Sequence, residues 1–287
     1  MAEMTTEGGS WVTRALVDGG AVRLVIVEAA ELADEVRRAH DLGPTDTRLA
    51  AEATVATILL SAYAKGDEKL SLQIALSRPQ ARWMGELDAE RRYRGRLWTE
   101  GGLPPRADLD DLEGVLQAAK YVAGREVYRG VTSVRGSITA ALRGHLVEST
   151  QVHGALATLV TLDEEGHVAR AAGILAERLP EEAEQPYLQA DAFLDLWGSL
   201  GSADVEPLLD AVSARSVHGQ PVHVLEVQPA LWGCTCSKER VMGALAGLGA
   251  VELNDMADQD GGAVIHCEFC NARYDISADE LRGMAQG

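Results

Sequence analysis

The sequence predicts an α+β protein in three parts: an N-terminal mixed α/β-sheet core domain (1–179), an amphipathic helical linker (180–230) and a small C-terminal zinc-binding domain (231–287). In the first part, short runs of alternating apolar residues are interrupted by segments with helical spacing. After Pro180 the composition becomes acidic, and all four cysteines lie near the end of the chain. A chain of 287 residues is about twice the usual domain length, which agrees with more than one domain.

A hairpin and two helices begin the core domain. Alternating residues over 11–27 flank an Asp-Gly-Gly turn at 18–20, which is typical of a half-buried hairpin. Apolar residues follow at helical spacing over 32–39 and again over about 45–64. The second helix is so apolar that we expect it to lie at the centre of the domain.

Strands make up most of the remaining core domain. Polar or Gly/Pro turns separate five strand-like runs, at 70–76, 81–87, 93–98, 114–122 and 127–132. A helix is predicted at 137–148. The Asp-Glu-Glu-Gly turn at 163–166 joins 155–162 to 168–175 as a further hairpin. Strands and helices in this mixed order predict the α+β class.

The linker is amphipathic but too small to form its own core. It contains a helical stretch with the apolar side chains Tyr187, Phe193, Leu194 and Trp197, and a second helix is expected over 203–213. We therefore expect it to lie against a neighbouring domain or to be only marginally stable.

Composition and motifs exclude several classes of function. The chain has 26 basic and 44 acidic residues, and a formal charge of -18 opposes binding to nucleic acid. No apolar run is long enough to span a membrane, and the first ten residues lack a signal-peptide pattern, so we expect a cytoplasmic protein without a membrane partner. Phosphate-binding loops, the His-Glu-x-x-His motif and the G-x-S-x-G motif are missing, so we expect no enzymatic activity.

The four cysteines form two close pairs and predict a zinc site. One residue separates Cys234 from Cys236, and two residues separate Cys267 from Cys270. Two pairs of thiolates at such spacing can complete a tetrahedral site for Zn²⁺. A domain of fewer than about 60 residues usually needs a disulfide or a bound metal ion to be stable, so we expect the metal to decide whether this domain is folded.

Local signals give this domain its own secondary structure. Ser237 is a candidate N-cap for a helix that ends before Gly249. Short strands are predicted at 263–266 and 273–276, with the second cysteine pair in the turn between them. Ser277 and Glu280 form a capping box for a last helix.

Spacing alone leaves the role of the zinc open. Most four-thiolate sites are permanent and structural. In a switch, each close pair would form its own disulfide once the zinc leaves. A third reading, a thiol–disulfide oxidoreductase that uses Cys267 and Cys270, is disfavoured because this C-x-x-C does not open a helix after a strand.

The segment 232–284 contains the run CTCSKER at 234–240 and Gly-Gly before CEFC at 267–270. It resembles the zinc domain of the 33-kDa heat-shock chaperone family. The runs LSLQI at 70–74, YRGV at 128–131 and AAGIL at 171–175 resemble landmarks of that family's core domain in the right order. Departures from the family pattern at 75–80, 149–151 and 217–220 keep open a constitutive chaperone or adaptor whose zinc is purely structural.

The resemblance implies a redox-regulated, ATP-independent holdase that protects unfolding client proteins during stress. It would be inactive while reduced and zinc-bound, and activated by hypochlorite, or by peroxide with heat. It implies that Cys267 and Cys270 form the first disulfide, that Cys234 and Cys236 form the second, and that zinc is released. The linker would then unfold, so that Tyr187, Phe193, Leu194 and Trp197 become client-binding candidates. A homodimer is implied for the oxidised form.

Overall fold

Two β-sheets enclose a central helix in the larger of the two units into which the chain divides. The computed structural model describes residues 9–17, 22–105, 107–150, 154–179 and 222–286. The units are an N-terminal unit, Met1–Trp232, and a C-terminal unit, Gly233–Gly287. Each unit has its own hydrophobic core.

The described elements of the N-terminal unit are three helices and eleven strands. In chain order they are β1 (Trp11–Val17), β2 (Val22–Glu28), α1 (Ala30–His40), α2 (Pro44–Ser61), β3 (Lys69–Arg78), β4 (Gln80–Leu87), β5 (Arg92–Thr99), β6 (Leu112–Val122), β7 (Arg125–Gly136), α3 (Ile138–Thr150), β8 (Gly154–Leu162), β9 (Val168–Arg178), β10 (His223–Pro229) and β11 (Leu231–Trp232). One sheet has the strand order β10-β1-β2-β9-β8, and the other has the order β11-β5-β4-β3-β6-β7. All strand pairs are antiparallel except β11 with β5.

Helix α2 lies at the centre of this unit, as its composition predicts. Nearly all of its side chains are buried, and it packs against strands of both sheets. The buried hydroxyls of Thr54, Thr57 and Ser61 each donate to a backbone oxygen of the same helix, and the Thr54 hydroxyl also accepts from the Tyr93 hydroxyl at 2.8 Å. A helix of small residues therefore fits between two sheets with these hydroxyls paired.

The structure confirms the α+β class and the predicted order of elements in the core. The hairpin of β1 and β2 pairs Trp11 with Glu28 and Val17 with Val22, and its turn lies outside the described residues. The helices and strands predicted up to residue 175 are all present, with bounds that differ by a few residues.

The predicted linker is mostly outside the described residues, and its described end differs from the prediction. Residues 180–221 are not described, and these include Tyr187, Phe193, Leu194 and Trp197. Within the range predicted to be helical, His223–Pro229 forms the strand β10. It pairs with the edge of β1, which would otherwise leave backbone groups unpaired, and an ion pair of Glu226 with Arg14 joins the two strands.

The C-terminal unit consists of short elements around a small core. They are α4 (Lys238–Leu245), a 3₁₀ turn (Ala246–Leu248), α5 (Ala250–Asp255), a π turn (Met256–Asp260), β12 (Gly262–His266), β13 (Arg273–Ser277) and α6 (Ala278–Ala285). The buried core residues of its described part are Leu245, Leu253, Ala257, Ile276 and Leu281. The predicted cap at Ser237 and the capping box of Ser277 with Glu280 are both present. The helix α5 was not predicted.

Candidate metal centre

The four cysteine sulfurs of the C-terminal unit form one cluster. All four Sγ atoms lie within 4.8 Å of one another. The shortest of the resolved contacts are 3.6 Å between Cys234 and Cys267, and 3.4 Å between Cys236 and Cys270. Zn–S bonds of about 2.3 Å in a tetrahedron put neighbouring sulfurs roughly 3.8 Å apart. The donor set therefore fits a zinc ion with only small shifts of the side chains.

The first pair is held by the start of α4. Ser237 follows Cys236 directly, and its hydroxyl accepts a hydrogen bond from the backbone N–H of Arg240 at 3.3 Å. The Arg240 guanidinium reaches back and donates to the backbone oxygen of Thr235 at 2.6 Å. These two bonds fix the Cys-Thr-Cys segment against the first turn of the helix.

The second pair lies in the turn between β12 and β13. The backbone N–H of Cys267 donates to Ala272 O at 2.9 Å, and the N–H of Asn271 donates to Cys267 O at 2.8 Å. Asn271 has a φ of 57°, a left-handed conformation that asparagine tolerates better than most residues. The turn also directs the backbone N–H groups of Phe269 and Cys270 at the Cys267 sulfur.

The thiols of this cluster differ in acidity because burial and local hydrogen bonds act differently on each of them. Burial opposes ionisation of Cys267, but the N–H groups of Cys270 and Phe269 outweigh it and lower the pKa of this thiol to about 7. Burial and shared hydrogen bonds with Cys236 and Cys267 raise the pKa of Cys270 far above its usual value. Four adjacent sulfurs cannot all ionise without a cation, and soft thiolate donors select Zn²⁺ or a similar soft metal.

One side-chain contact to this cluster was not predicted from the sequence. The hydroxyl of Tyr274 on β13 donates a hydrogen bond to Cys236 Sγ at 3.0 Å. This bond to Cys236 is the main reason that the pKa of Tyr274 rises to about 12. The sequence shows only an aromatic residue in a short strand, and it gives no sign that this residue reaches the first cysteine pair.

An ion pair connects the two halves of the C-terminal unit. Lys238 Nζ at the start of α4 lies 2.7 Å from Glu280 Oε1 in the capping box of α6. This partner and the hydrogen bonds from Ser277 lower the pKa of Glu280 to about 2. The segment that carries Cys236 is thereby tied to the last helix.

Outside the cysteine cluster, the described residues offer one further group of metal-ligand type. Asp163, Glu165 and His167 lie close together in the turn between β8 and β9, and all three are exposed. Exposed acidic groups of this kind are common without a metal. Among the described residues, no helix has both the length and the apolar character needed to cross a membrane.

The features described so far define a class of protein in which an α+β unit of two sheets is followed by a small unit with four clustered thiols. Sequence comparison assigns the family within this class. The chain belongs to the Hsp33 protein family, whose sequence model matches residues 10–277. The resemblance seen in the sequence is confirmed.

Relatives in two bacteria and one solved structure agree. The chain is 29% identical to the 33 kDa chaperonin of Syntrophotalea carbinolica, covering 95% of this chain and 98% of the relative. It is 30% identical to that of Symbiobacterium thermophilum, covering 96% and 97%. The crystal structure of the 33 kDa chaperonin from Thermotoga maritima superposes with a TM-score of 0.80, covering 97% of this chain and 98% of that chain. At 22% identity, this last likeness shows the fold.

Proposed function

We propose that this protein is a redox-regulated, ATP-independent holdase chaperone that protects unfolding proteins from aggregation. The observation that carries the proposal is the cluster of four Sγ atoms within 4.8 Å in a unit with a small core, in a member of the Hsp33 family. The proposed parts are a core domain (1–179), a linker (180–230) and a zinc domain (231–287). The protein would act in the cytoplasm, without enzymatic activity.

The four thiolates would hold Zn²⁺ in the reduced protein. Bound there, the ion would keep all four sulfurs deprotonated and join Cys234 and Cys236 to Cys267 and Cys270. Five buried apolar residues give the unit little hydrophobic stabilisation. Coordination by four thiolates contributes on the order of 10 to 16 kcal/mol to folding in small zinc domains. Loss of the ligands would therefore unfold the unit.

The proposed trigger is oxidation of the thiolates to two disulfides. In each step two sulfurs lose two electrons to the oxidant and form an S–S bond, so that hypochlorite becomes chloride and water, or peroxide becomes water. Each disulfide removes two metal ligands. We propose that Cys267 and Cys270 react first and that Cys234 and Cys236 follow, as the family resemblance implies.

Client binding would follow from the unfolding of the linker. The candidate residues are Tyr187, Phe193, Leu194 and Trp197, whose apolar side chains would become available to unfolding proteins. We propose that the oxidised protein is a homodimer. Sedimentation of the reduced and oxidised forms tests the dimer, and alanine at these four positions tests client binding.

The central experiment measures metal content and client protection together. The reduced protein should hold one zinc per chain and leave a heat-labile enzyme to aggregate. After hypochlorite treatment it should be zinc-free and suppress light scattering, and dithiothreitol with zinc should reverse both effects. Failure of the oxidised, zinc-free and soluble protein to suppress aggregation would exclude the proposal.

A matched variant separates thiol oxidation from other damage by the oxidant. The chain has four cysteines, so a variant with serine at all four has no thiol left. We expect this variant to lack zinc and to protect the client without oxidant. Peptide mapping of the oxidised wild type also tests which cysteines form the disulfides. The proposed pairs are Cys234 with Cys236 and Cys267 with Cys270, whereas the two short sulfur contacts join Cys234 to Cys267 and Cys236 to Cys270.

A constitutive chaperone or adaptor with a purely structural zinc site is the second candidate. The bonds that hold the cluster favour it: backbone N–H groups reach Cys267, and the Tyr274 hydroxyl reaches Cys236, as in permanent sites. Titration with oxidant separates the two candidates. A switch releases zinc at oxidant levels that leave the N-terminal unit folded, whereas a structural site retains it.

A further inference from the structure

The hydrogen bond from Tyr274 to Cys236 differs from the other resolved bonds to the cluster. Apart from the contacts among the sulfurs themselves, the donors to Cys267 are the backbone N–H groups of Phe269 and Cys270, which every residue except proline would supply at those positions. The donor to Cys236 is a side-chain hydroxyl at 3.0 Å, which comes from a strand 38 residues further along the chain. It is therefore a contact that depends on the identity of one residue.

The position of Tyr274 is set by the hairpin that carries it. Tyr274 lies on β13 and pairs with Ile265 on β12 in an antiparallel ladder. Its neighbour on the same strand, Ile276, belongs to the buried core of the unit. The phenol ring is thus carried by the hairpin, while Cys236 is carried by the segment before α4, and the hydrogen bond joins these two parts of the unit.

We propose that Tyr274 is a positioning residue that shields Cys236 and slows its reaction with electrophiles and oxidants. A hydrogen bond to a thiolate draws electron density from the lone pair that would attack the electrophile. It also fixes the direction of the sulfur, as donors around metal ligands do. The inference rests on the proposed function, since it describes how the cysteine cluster resists oxidation until the stress is strong.

The consequence for oxidation follows from the same contact. Cys236 is one of the two sulfurs of the proposed disulfide between Cys234 and Cys236, which would form after that of Cys267 with Cys270. A donor that slows the reaction of Cys236 slows this step, so Tyr274 would set how readily the second disulfide forms.

The test is site-resolved alkylation of the reduced, zinc-loaded full chain by iodoacetamide. A thiolate displaces iodide from the reagent and forms a thioether, so mass spectrometry of peptides gives a rate for each cysteine. Tyr274→Phe keeps the ring and removes the hydroxyl. We expect it to speed modification of Cys236 about 3- to 10-fold, with less than about 2-fold change at Cys267, and to speed zinc release to a chelator.

The control variant is Tyr128→Phe in the N-terminal unit. The Tyr128 hydroxyl is buried and makes no hydrogen bond with the described residues, so its loss should leave every cysteine rate unchanged. Equal rates at Cys236 in wild type and Tyr274→Phe would overturn the proposal. A merely structural role for the ring predicts this equality, and predicts that Tyr274→Leu speeds all four cysteines together.

The zinc-loaded wild type alone gives a second test in case the variant fails to fold. A Tyr274 hydroxyl that is bonded to Cys236 Sγ should exchange its proton with water more slowly than an exposed tyrosine hydroxyl, as measured by NMR, and exchange at the rate of an exposed hydroxyl overturns the proposal. Zinc content is measured first and tests the proposed function separately. A protein that holds zinc but shows no effect of Tyr274→Phe loses this inference alone, whereas a wild type that holds no zinc overturns the proposed metal centre and this inference with it.

Discussion

Leu281 on α6 is fully buried in the small core of the C-terminal unit, and its truncation should weaken zinc binding from a distance. Replacing a buried leucine by alanine costs about 2 to 5 kcal/mol. Many of the neighbours in this core are only half-buried, so they can partly fill the cavity that the truncated side chain leaves. The lower part of the range, about 2 to 3 kcal/mol, therefore applies. If zinc binds only the folded unit, this cost appears in the apparent zinc affinity.

The same energy then gives a measurable shift in metal binding. At about 1.4 kcal/mol per tenfold change, Leu281→Ala should raise the apparent dissociation constant for zinc roughly 30- to 150-fold. Competition with a chromogenic chelator at fixed pH measures it. The control is Val251→Ala on α5, because Val251 is 78% exposed and should shift the affinity by less than about threefold. Equal zinc affinities for both variants would refute the coupling of metal binding to folding.

Three further predictions concern the N-terminal unit, and unfolding by urea measures each. Tyr93→Phe removes the buried bond to Thr54 and should cost about 1 kcal/mol, because the Thr54 hydroxyl keeps its own acceptor; no loss would contradict the bond. Burial raises the pKa of Glu28 to about 7, although the charge of Arg170 opposes this. The folded protein then keeps this carboxyl protonated to a higher pH than the unfolded chain does, so the free energy of unfolding should fall as the pH rises from about 4.5 to 7. Glu28→Gln should flatten this profile. Gly173→Ala should cost about 1 to 3 kcal/mol, since its Cβ would lie 2.5 Å from a Val55 methyl group.

The elements that sequence reasoning placed correctly are those whose signals are local. The alternation on both sides of the 18–20 turn gives the hairpin of β1 and β2, because a two-residue period with a glycine turn has few other solutions. Ser277 and Glu280 give the start of α6 for a similar reason, since both halves of the capping box lie within one helical turn. The cysteine pairs are also a local signal, because each short spacing places two ligands on one side of an ion.

The features that the sequence did not reveal depend on distant partners. The strand β10 pairs with β1 more than two hundred residues away, and its residues are at most half-buried, so no clear alternation marks it. The helix α5 is six residues long, which is too short for a periodic signal, and it is held by Leu253 in the core. Tyr274 reaches Cys236 only because the hairpin and the segment before α4 fold together.

The contacts around the cysteine cluster bear on the choice between a switch and a permanent site, and they do not all favour the same one. The small core makes the fold of the C-terminal unit depend on the ligands, which a switch requires. The ion pair of Lys238 with Glu280 is exposed and adds little, so it cannot replace the metal when the ligands are oxidised. The donors to Cys267 and Cys236 oppose early attack on the sulfurs. Weak packing would let the unit unfold once oxidation is complete, while the hydrogen bonds to sulfur would set how much oxidant is needed to begin it.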